Sequence, residues 1–423
     1  MYAYTDHSHV SCITPYRYKR VSCTWYSPVP PWGQAGKLGR GGGGEGRHEA
    51  LEAIAVTKLW SVARSAASCS STSTASRALA TTAHQPFDSV DAALRCAAAA
   101  MGLLTWLGFR RRNQFESLTL LDHMLSSPLT YLVDRFYHLV LVLRGSPFYP
   151  PRGKAAIRVV CIADTHDQLV SVPVGDVLIH AGDLTTDGSA ADVQRQLDWL
   201  KSLPHPVKIV VAGNHDSYFD ARSRSADDVR TAAKLDLDGL LYLEGELTVQ
   251  EVKGRQLAIF GAPDIPECGP ENFAFQYTPA KQPWLSKVPP RTDILVTHGP
   301  PKHHRDLGIG CPHLLREVWR VKPRLHVFGH THWAYGKESV YFDGMQVAYE
   351  RLLSRPRRGL LWDLVPNESW LDMAQVLLHG VHSVLWKWLM GGPGSNQGSL
   401  MVNAAQMHKN SGTVRSRAVV VDM

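Results

Sequence analysis

Six short apolar runs set the rhythm of the C-terminal part of this chain. They are Ile157–Ala163, Val177–Ala181, Lys208–Ala212, Leu257–Gly261, Ile294–Thr297 and Leu325–Phe328. All are brief and rich in β-branched residues, with little polar alternation, which predicts strands buried on both faces. Between several of them the period becomes helical. Ala190–Leu203 puts Leu197 and Leu200 on one face, and Pro312–Val321 has a similar pattern. Strands alternating with helices predict an α/β fold, whose ligands gather beyond the carboxyl ends of the strands. Leu400–Val402 and Ala418–Asp422 are strand-like and are expected to close a domain running over 155–423.

Elsewhere the pattern differs. Residues 1–91 contain the run Gly41 to Gly44, the segment Ser27-Pro28-Val29-Pro30-Pro31 and a Ser/Thr/Ala tract. Such a stretch buries too little apolar surface to offset its chain entropy, so a disordered, basic extension is expected. Residues 92–150 hold the uncharged Cys96–Phe109, then Arg110-Arg111-Arg112, then the Leu-rich Leu118–Leu143. The uncharged stretch is shorter than the roughly 20 apolar residues of a membrane-crossing helix. Residues 92–145 therefore read either as one or two helices packed on the α/β domain, or as an interfacial anchor with its arginines against anionic headgroups. Residues 351–398 look inserted. Pro356, Pro366 and Gly391-Gly392-Pro393-Gly394-Ser395 bracket a segment carrying Trp362, Trp370, Trp386 and Trp388. It reads as a helical hairpin over a sheet edge, or as a lid touching membrane or ligand.

Charge narrows the choice of partner. Residues 1–156 hold 17 Lys and Arg against 9 Asp and Glu, and the remainder 28 against 29. The basic character belongs to the N-terminal extension, so no basic stripe for nucleic acid crosses the α/β domain. The seven cysteines, Cys12, Cys23, Cys69, Cys96, Cys161, Cys268 and Cys311, form no CxxC pair. They suggest neither a disulfide framework nor a structural zinc site, and a reducing, cytoplasmic location is the default. Residues 1–30 lack the apolar core of a signal peptide, whereas residues 54–87, with Arg64, Arg77 and no acid, are compatible with a mitochondrial transit peptide.

Five strand ends carry side chains able to bind metal. The segments are Asp164-Thr165-His166, Gly182-Asp183, Gly213-Asn214-His215-Asp216, Thr297-His298-Gly299 and Gly329-His330-Thr331-His332. Taken singly each has a bland explanation: a capping Asp, a turn, or an αL turn with Asx hydrogen bonds. Five in this order point to one site. Asp164 and His166 can turn toward one ion, Asp183 can bridge two, and Asn214 offers a neutral carbonyl oxygen. His298, His330 and His332 supply nitrogens. Mixed N/O ligation without thiolate suits two divalent ions of Mn, Fe, Zn or Mg, with Mn expected to serve in vitro. Among the other histidines, His303, His304 and His313 read as solvated loop residues, and His180 and His326 as satisfied core residues.

These segments resemble the calcineurin-like metallophosphoesterase superfamily, over about Ile157 to Tyr349 and again from Leu400. Thr297-His298-Gly299-Pro300-Pro301 and Val327-Phe328-Gly329-His330-Thr331-His332 look most like its small metallophosphoesterase-domain-containing branch, fungal members included. The resemblance implies a four-layer αββα sandwich of two mixed sheets with helices outside. It implies a hydrolase of phosphodiesters or phosphomonoesters, in which two ions roughly 3.5–4 Å apart activate a bridging hydroxide. By motif position Asp164, His166, Asp183 and His332 would hold the first ion, and Asp183, Asn214, His298 and His330 the second. His215 would be the general acid, with Asp216 orienting it, and Asn403 would contact the site. The Asp-Arg-Gly of the protein Ser/Thr phosphatases is replaced by Asp183-Leu184-Thr185, so the substrate implied is a small phosphoester such as a cyclic nucleotide. The competing expectation is a vestigial metal-binding scaffold attached to membranes through residues 92–145.

Overall fold

The computed structural model describes residues 101–111, 116, 118–278, 280–391, 398–409 and 411–423. The expectations for residues 1–91, for Arg112 and for the Gly392–Ser395 bracket lie outside them. Two mixed sheets form the centre. The first contains β1 (Arg158–Ile162), β2 (Val177–Ala181), β3 (Val207–Val211), β4 (Leu241–Tyr242) and the last strand, β13 (Val419–Asp422), in the order β13-β1-β2-β3-β4. The second is built from β5 (Glu246–Val252), β6 (Arg255–Ala262), β9 (Ile294–Thr297), β10 (Leu325–Phe328), β11 (Gly336–Val340) and β12 (Ser399–Asn403), in the order β11-β12-β10-β9-β6-β5. A two-stranded ribbon pairs β7 (Ile265–Pro266) with β8 (Gln276–Tyr277).

The lack of polar alternation in the apolar runs has a direct cause. In β1, Val159 and Cys161 face the second sheet, whereas Val160 and Ile162 face outward under a helix. Both sides of the strand are therefore dry. The inner core joins Val159, Ile179 and Val211 of one sheet to Ile259, Val296 and Val327 of the other. Outside the first sheet lies α3 (Ala190–Ser202), capped by Ser189 and buried through Val193, Leu197 and Leu200. Beyond it the short α4 (Ala226–Thr231) has no buried residue. Outside the second sheet α5 (Pro312–Val321) packs Leu314 and Val318 on Phe260, Leu295 and Phe328. Each such aliphatic side chain is worth about 1.5–3 kcal/mol when fully buried. The result is the four-layer αββα sandwich, with β1 paired along one edge to β13 and along the other to β2.

A separate helical layer unites two segments that the sequence presents far apart. Leu118–Leu143 folds as α1 (Leu120–Ser126) and α2 (Pro128–Arg144). The Trp-rich segment folds as α6 (Gly344–Ser354), α7 (Leu360–Asp363) and α8 (Glu368–Trp386). Its first helix starts seven residues before the expected boundary at 351, because the Asp343 side chain caps it at Gln346 N. Val133, Tyr137 and Val140 of α2 meet Met345 and Tyr349 of α6 and Val376 of α8. Tyr137 and Tyr349 stack with ring centroids 3.7 Å apart. Arg110 forms an ion pair with Asp122 at 2.9 Å, which commits its charge to this layer. Among the described residues no helix is long and apolar enough to cross a membrane.

Candidate dinuclear metal site

All five motif segments leave the carboxyl ends of strands, from β1, β2 and β3 of one sheet and β9 and β10 of the other. The facing sheets aim these ends at one point. The turn that does so is tight: Asp164, His166, Asp183 and His330 all adopt left-handed backbone conformations, with φ of 54°, 42°, 52° and 65°. Non-glycine residues take this region at a cost, which is concentrated at functional sites. Two glycines of the motifs act by being small. A Cβ on Gly213 would run into the Asp183 carboxylate, and one on Gly329 into that of Asp164.

Two ligand groups result, sharing one carboxylate. Asp164, His166, Asp183 and His332 present ligand atoms within 4.8 Å of one another, and so do Asp183, His298 and His330. In the first group His166 Nε2 lies 3.3 Å from His332 Nε2, which is 3.1 Å from Asp164 Oδ1. In the second, Asp183 Oδ2 is 3.4 Å from His298 Nε2. Asn214 Oδ1 lies 3.0 Å from that nitrogen and 2.9 Å from His330 Nδ1.

The tautomers explain why this cluster suits cations. His298 Nδ1 faces the Ala181 carbonyl at 3.0 Å, and His332 Nδ1 faces the Lys409 carbonyl at 2.7 Å. A carbonyl only accepts, so both Nδ1 atoms donate, and in the neutral form that can bind a metal each ring turns an Nε2 lone pair inward. There they meet carboxylate and amide oxygens, which are also acceptors. Acceptors converging on acceptors require a cation between them, and the donor set of carboxylate, amide oxygen and imidazole fits a divalent pair. Burial, with help from His298, holds His330 down at about 3, and burial lowers His166 as well, so both rings stay in the neutral, ligating form. Burial opposes charge on Asp183 too, but the surrounding histidines outweigh it and keep the carboxyl well below its usual range. The converse holds at His298, where the Asp183 charge overcomes burial and lifts the ring to about 9, so metal binding there would have to displace a proton from Nε2.

His215 and Asp216 stand apart from each other. His215 Nδ1 lies 2.8 Å from the Thr186 carbonyl, and its backbone N–H donates to Asp183 Oδ1 at 2.9 Å. The ring packs edge-on against His166 and beside Phe273, at 4.9 and 4.7 Å between centroids. Asp216 does not orient it. Its fully buried carboxylate accepts from Leu184 N, Thr185 N, Thr185 Oγ1 and Gly213 N instead, at 2.8–3.1 Å. It thereby clamps the loop that follows Asp183. Burial and the Asp183 charge push this carboxyl up to about 6, against the pull of those donors.

The structure also fills in or changes the readings of the remaining polar residues. Asn403 is fully buried, and its Nδ2 donates to the Thr331 carbonyl at 3.0 Å, between His330 and His332, so it holds the last motif in place. His304 is not solvated but completely buried between Glu338 and Glu350, at 3.3 and 3.2 Å. His180 and His326 are core residues as expected, each with one ring nitrogen bonded to a motif threonine. His180 Nε2 meets Thr165 Oγ1 at 3.0 Å and His326 Nε2 meets Thr297 Oγ1 at 2.9 Å.

A cavity of about 370 Å³ opens from the cluster. Its floor is Asp183, Asn214, His215, His330 and His332. Its walls include Ile265, Phe273, Pro300, Ile309 and Trp333, with Glu267 as the one further acid and no Lys or Arg among the described residues. Sequence reading missed the Ile265–Phe273 wall, although β6 ends at Ala262 on the same side as the motif strands. Listing every strand end, with or without metal-capable residues, would have found it.

Residues 157–334 match the family described as calcineurin-like phosphoesterase. The chain is 38% identical over 215 residues to metallophosphoesterase domain-containing protein 1 of Homo sapiens, covering 45% of this chain and 65% of that protein. It is 37% identical over 200 residues to a UPF0046 protein of Caenorhabditis elegans, covering 43% of this chain and 70% of that protein. It is also 37% identical over 271 residues to "Probable rhamnogalacturonate lyase C" of Emericella nidulans, covering 63% of this chain but 24% of that protein.

Proposed function

From the premise that this chain belongs to the calcineurin-like phosphoesterase family, in the small branch of its human and nematode relatives, we propose that it hydrolyses phosphodiesters at a dinuclear metal site. The observation carrying this reading is the convergence of two ligand groups on the shared Asp183. Asp164, His166, Asp183 and His332 would hold one ion, and Asp183, Asn214, His298 and His330 the other. When bound, such a pair supplies Lewis acidity toward phosphoryl oxygens and acidifies a water.

The chain's own residues do the rest. His215 is not needed as a ligand, and with Nδ1 donating to Thr186 its Nε2 is the nitrogen left to carry a proton to the leaving oxygen. Asp216 keeps Asp183 and Thr186 in register by clamping the loop between them. Phe273, Ile309 and Trp333 exclude water from one side of the cavity. A phosphodiester carries one negative charge and a phosphomonoester nearly two at neutral pH. A cavity without Lys or Arg offers nothing beyond the ions and His215 to neutralise the second charge, which favours the diester.

The test is hydrolysis by the purified full chain with Mn²⁺, on a chromogenic diester and the matching monoester. The diester is expected to have the higher kcat/KM, and a chelator to abolish both activities. No turnover of either ester by metal-saturated protein would overturn the reading. A preference for the monoester would overturn the diester assignment alone.

A further inference from the structure

The outer surface of the helical layer has an unusual composition. On α8, Asp372, Val376 and Gly380 face the core. The opposite side presents Trp370, Leu377, Leu378, Val381 and Leu385, spaced by three, four and seven residues along one stripe, all exposed and none charged. The adjoining α7 and the residues after it add Leu361 at 79% exposure and Leu364 at 68%, and Trp388 and Leu389 follow α8 at 63% and 78%. Scattered exposed leucines are ordinary, but a whole uncharged helix face flanked by exposed tryptophans is not.

The charges around this face are sorted. Residues 355–391 contain three acids, Asp363, Glu368 and Asp372. All three turn to partners within the layer. Asp363 accepts from Ser127 Oγ and Leu129 N at 2.7 and 3.0 Å, and so caps α2. Glu368 pairs with Arg355, and Asp372 with Arg351 and Arg355. The next two arginines are left over: Arg357 and Arg358 form no ion pair among the described residues, and Arg358 lies over the Trp362 ring at 4.7 Å. Lys387 is buried and donates to main-chain carbonyls of α2.

We propose that α7 and the outer face of α8 dock on the surface of an anionic lipid bilayer, with Arg357 and Arg358 at the headgroups. The geometry is that of a helix lying in the interface: one side packed on protein, an apolar side for the acyl boundary, and tryptophans at the ends. No described helix is apolar enough to span. A second copy docked face to face is a poorer occupant, since residues 355–391 leave no uncommitted carboxylate to receive the arginine pair. Docking here is independent of the metal site and is read without any activity.

The full chain is floated in a density gradient with phosphatidylcholine vesicles, with or without phosphatidylserine. It is expected to rise with the anionic vesicles, and less so as salt screens the arginines. The triple variant Leu361→Glu, Leu378→Glu and Leu385→Glu alters only exposed positions and should lower binding more than about 100-fold. Arg357→Glu with Arg358→Glu should remove the preference for anionic vesicles. A direct check on wild-type protein is quenching of tryptophan fluorescence by brominated acyl chains, which requires insertion and no variant. Wild type left at the bottom of both gradients, undiminished flotation of the triple variant, or a concentration-dependent dimer that Leu378→Glu dissociates without any vesicle binding would each overturn the proposal.

Discussion

At the scale of single residues, the chemistry turns on which nitrogen of each histidine is free. His298 and His332 give Nδ1 to main-chain carbonyls and turn Nε2 to the cluster. His215 follows the same rule through Thr186, which leaves Nε2 as its outer nitrogen. A residue that only donates a proton should matter in proportion to how badly the leaving oxygen needs one. His215→Ala is therefore expected to lose about 10²–10⁴ in kcat for diesters of alkyl alcohols, and little for p-nitrophenyl diesters, whose leaving group departs as the anion. An equal loss for both classes would show that His215 acts in binding or folding instead. The residues that cluster were legible in the sequence because each stands in a short motif after a strand. The role of Asp216 was not: adjacency to His215 suggested a partnership, whereas its side chain points back into the fold and serves Leu184, Thr185 and Gly213.

At the scale of elements, buried strands were the easy part, since β9 and β10 match their apolar runs residue for residue. The edge strand β5 escaped because its side chains alternate toward solvent and include Glu246, Gln250 and Glu251. The joint between the loop after β9 and the helical layer was also invisible. There His304 is clasped by Glu338 of β11 and Glu350 of α6; Gln346 Nε2 donates to the same Glu350 oxygen, and Trp319 Nε1 to the other. Burial lowers the affinity of His304 for a proton, but the two carboxylates outweigh it and raise the ring to about 10. The folded state thus binds a proton that the unfolded state, with an ordinary pKa near 6.5, releases. This contribution to stability is complete below pH 6.5 and fades as the pH climbs toward 10. Denaturant midpoints should fall from about pH 7 to about pH 9, by roughly 1 kcal/mol per pH unit at most. His304→Gln should be less stable at neutral pH and show a shallower slope, the remainder coming from His298, which is lifted to about 9. A wild-type stability flat over this range would contradict the assignment.

At the scale of the whole molecule, two sheets from sequence-distant strands bring five motifs together, and α2 with α8 builds a helical layer from segments more than two hundred residues apart. The sandwich was expected from the family resemblance, and the place of the motifs from the rule that strand ends in α/β sheets collect ligands. The helical layer was not, because mutual burial of amphipathic helices leaves no mark on either segment of which partner it will meet. The central claim remains the shared carboxylate. If Asp183 belongs to both ligand groups, removing its charge should damage two sites at once. Calorimetric titration of the full chain with Mn²⁺ measures this directly. The account predicts two ions per wild-type chain and the loss of both tight sites in Asp183→Asn; a single ion in wild type, or one site left intact in the variant, would contradict it.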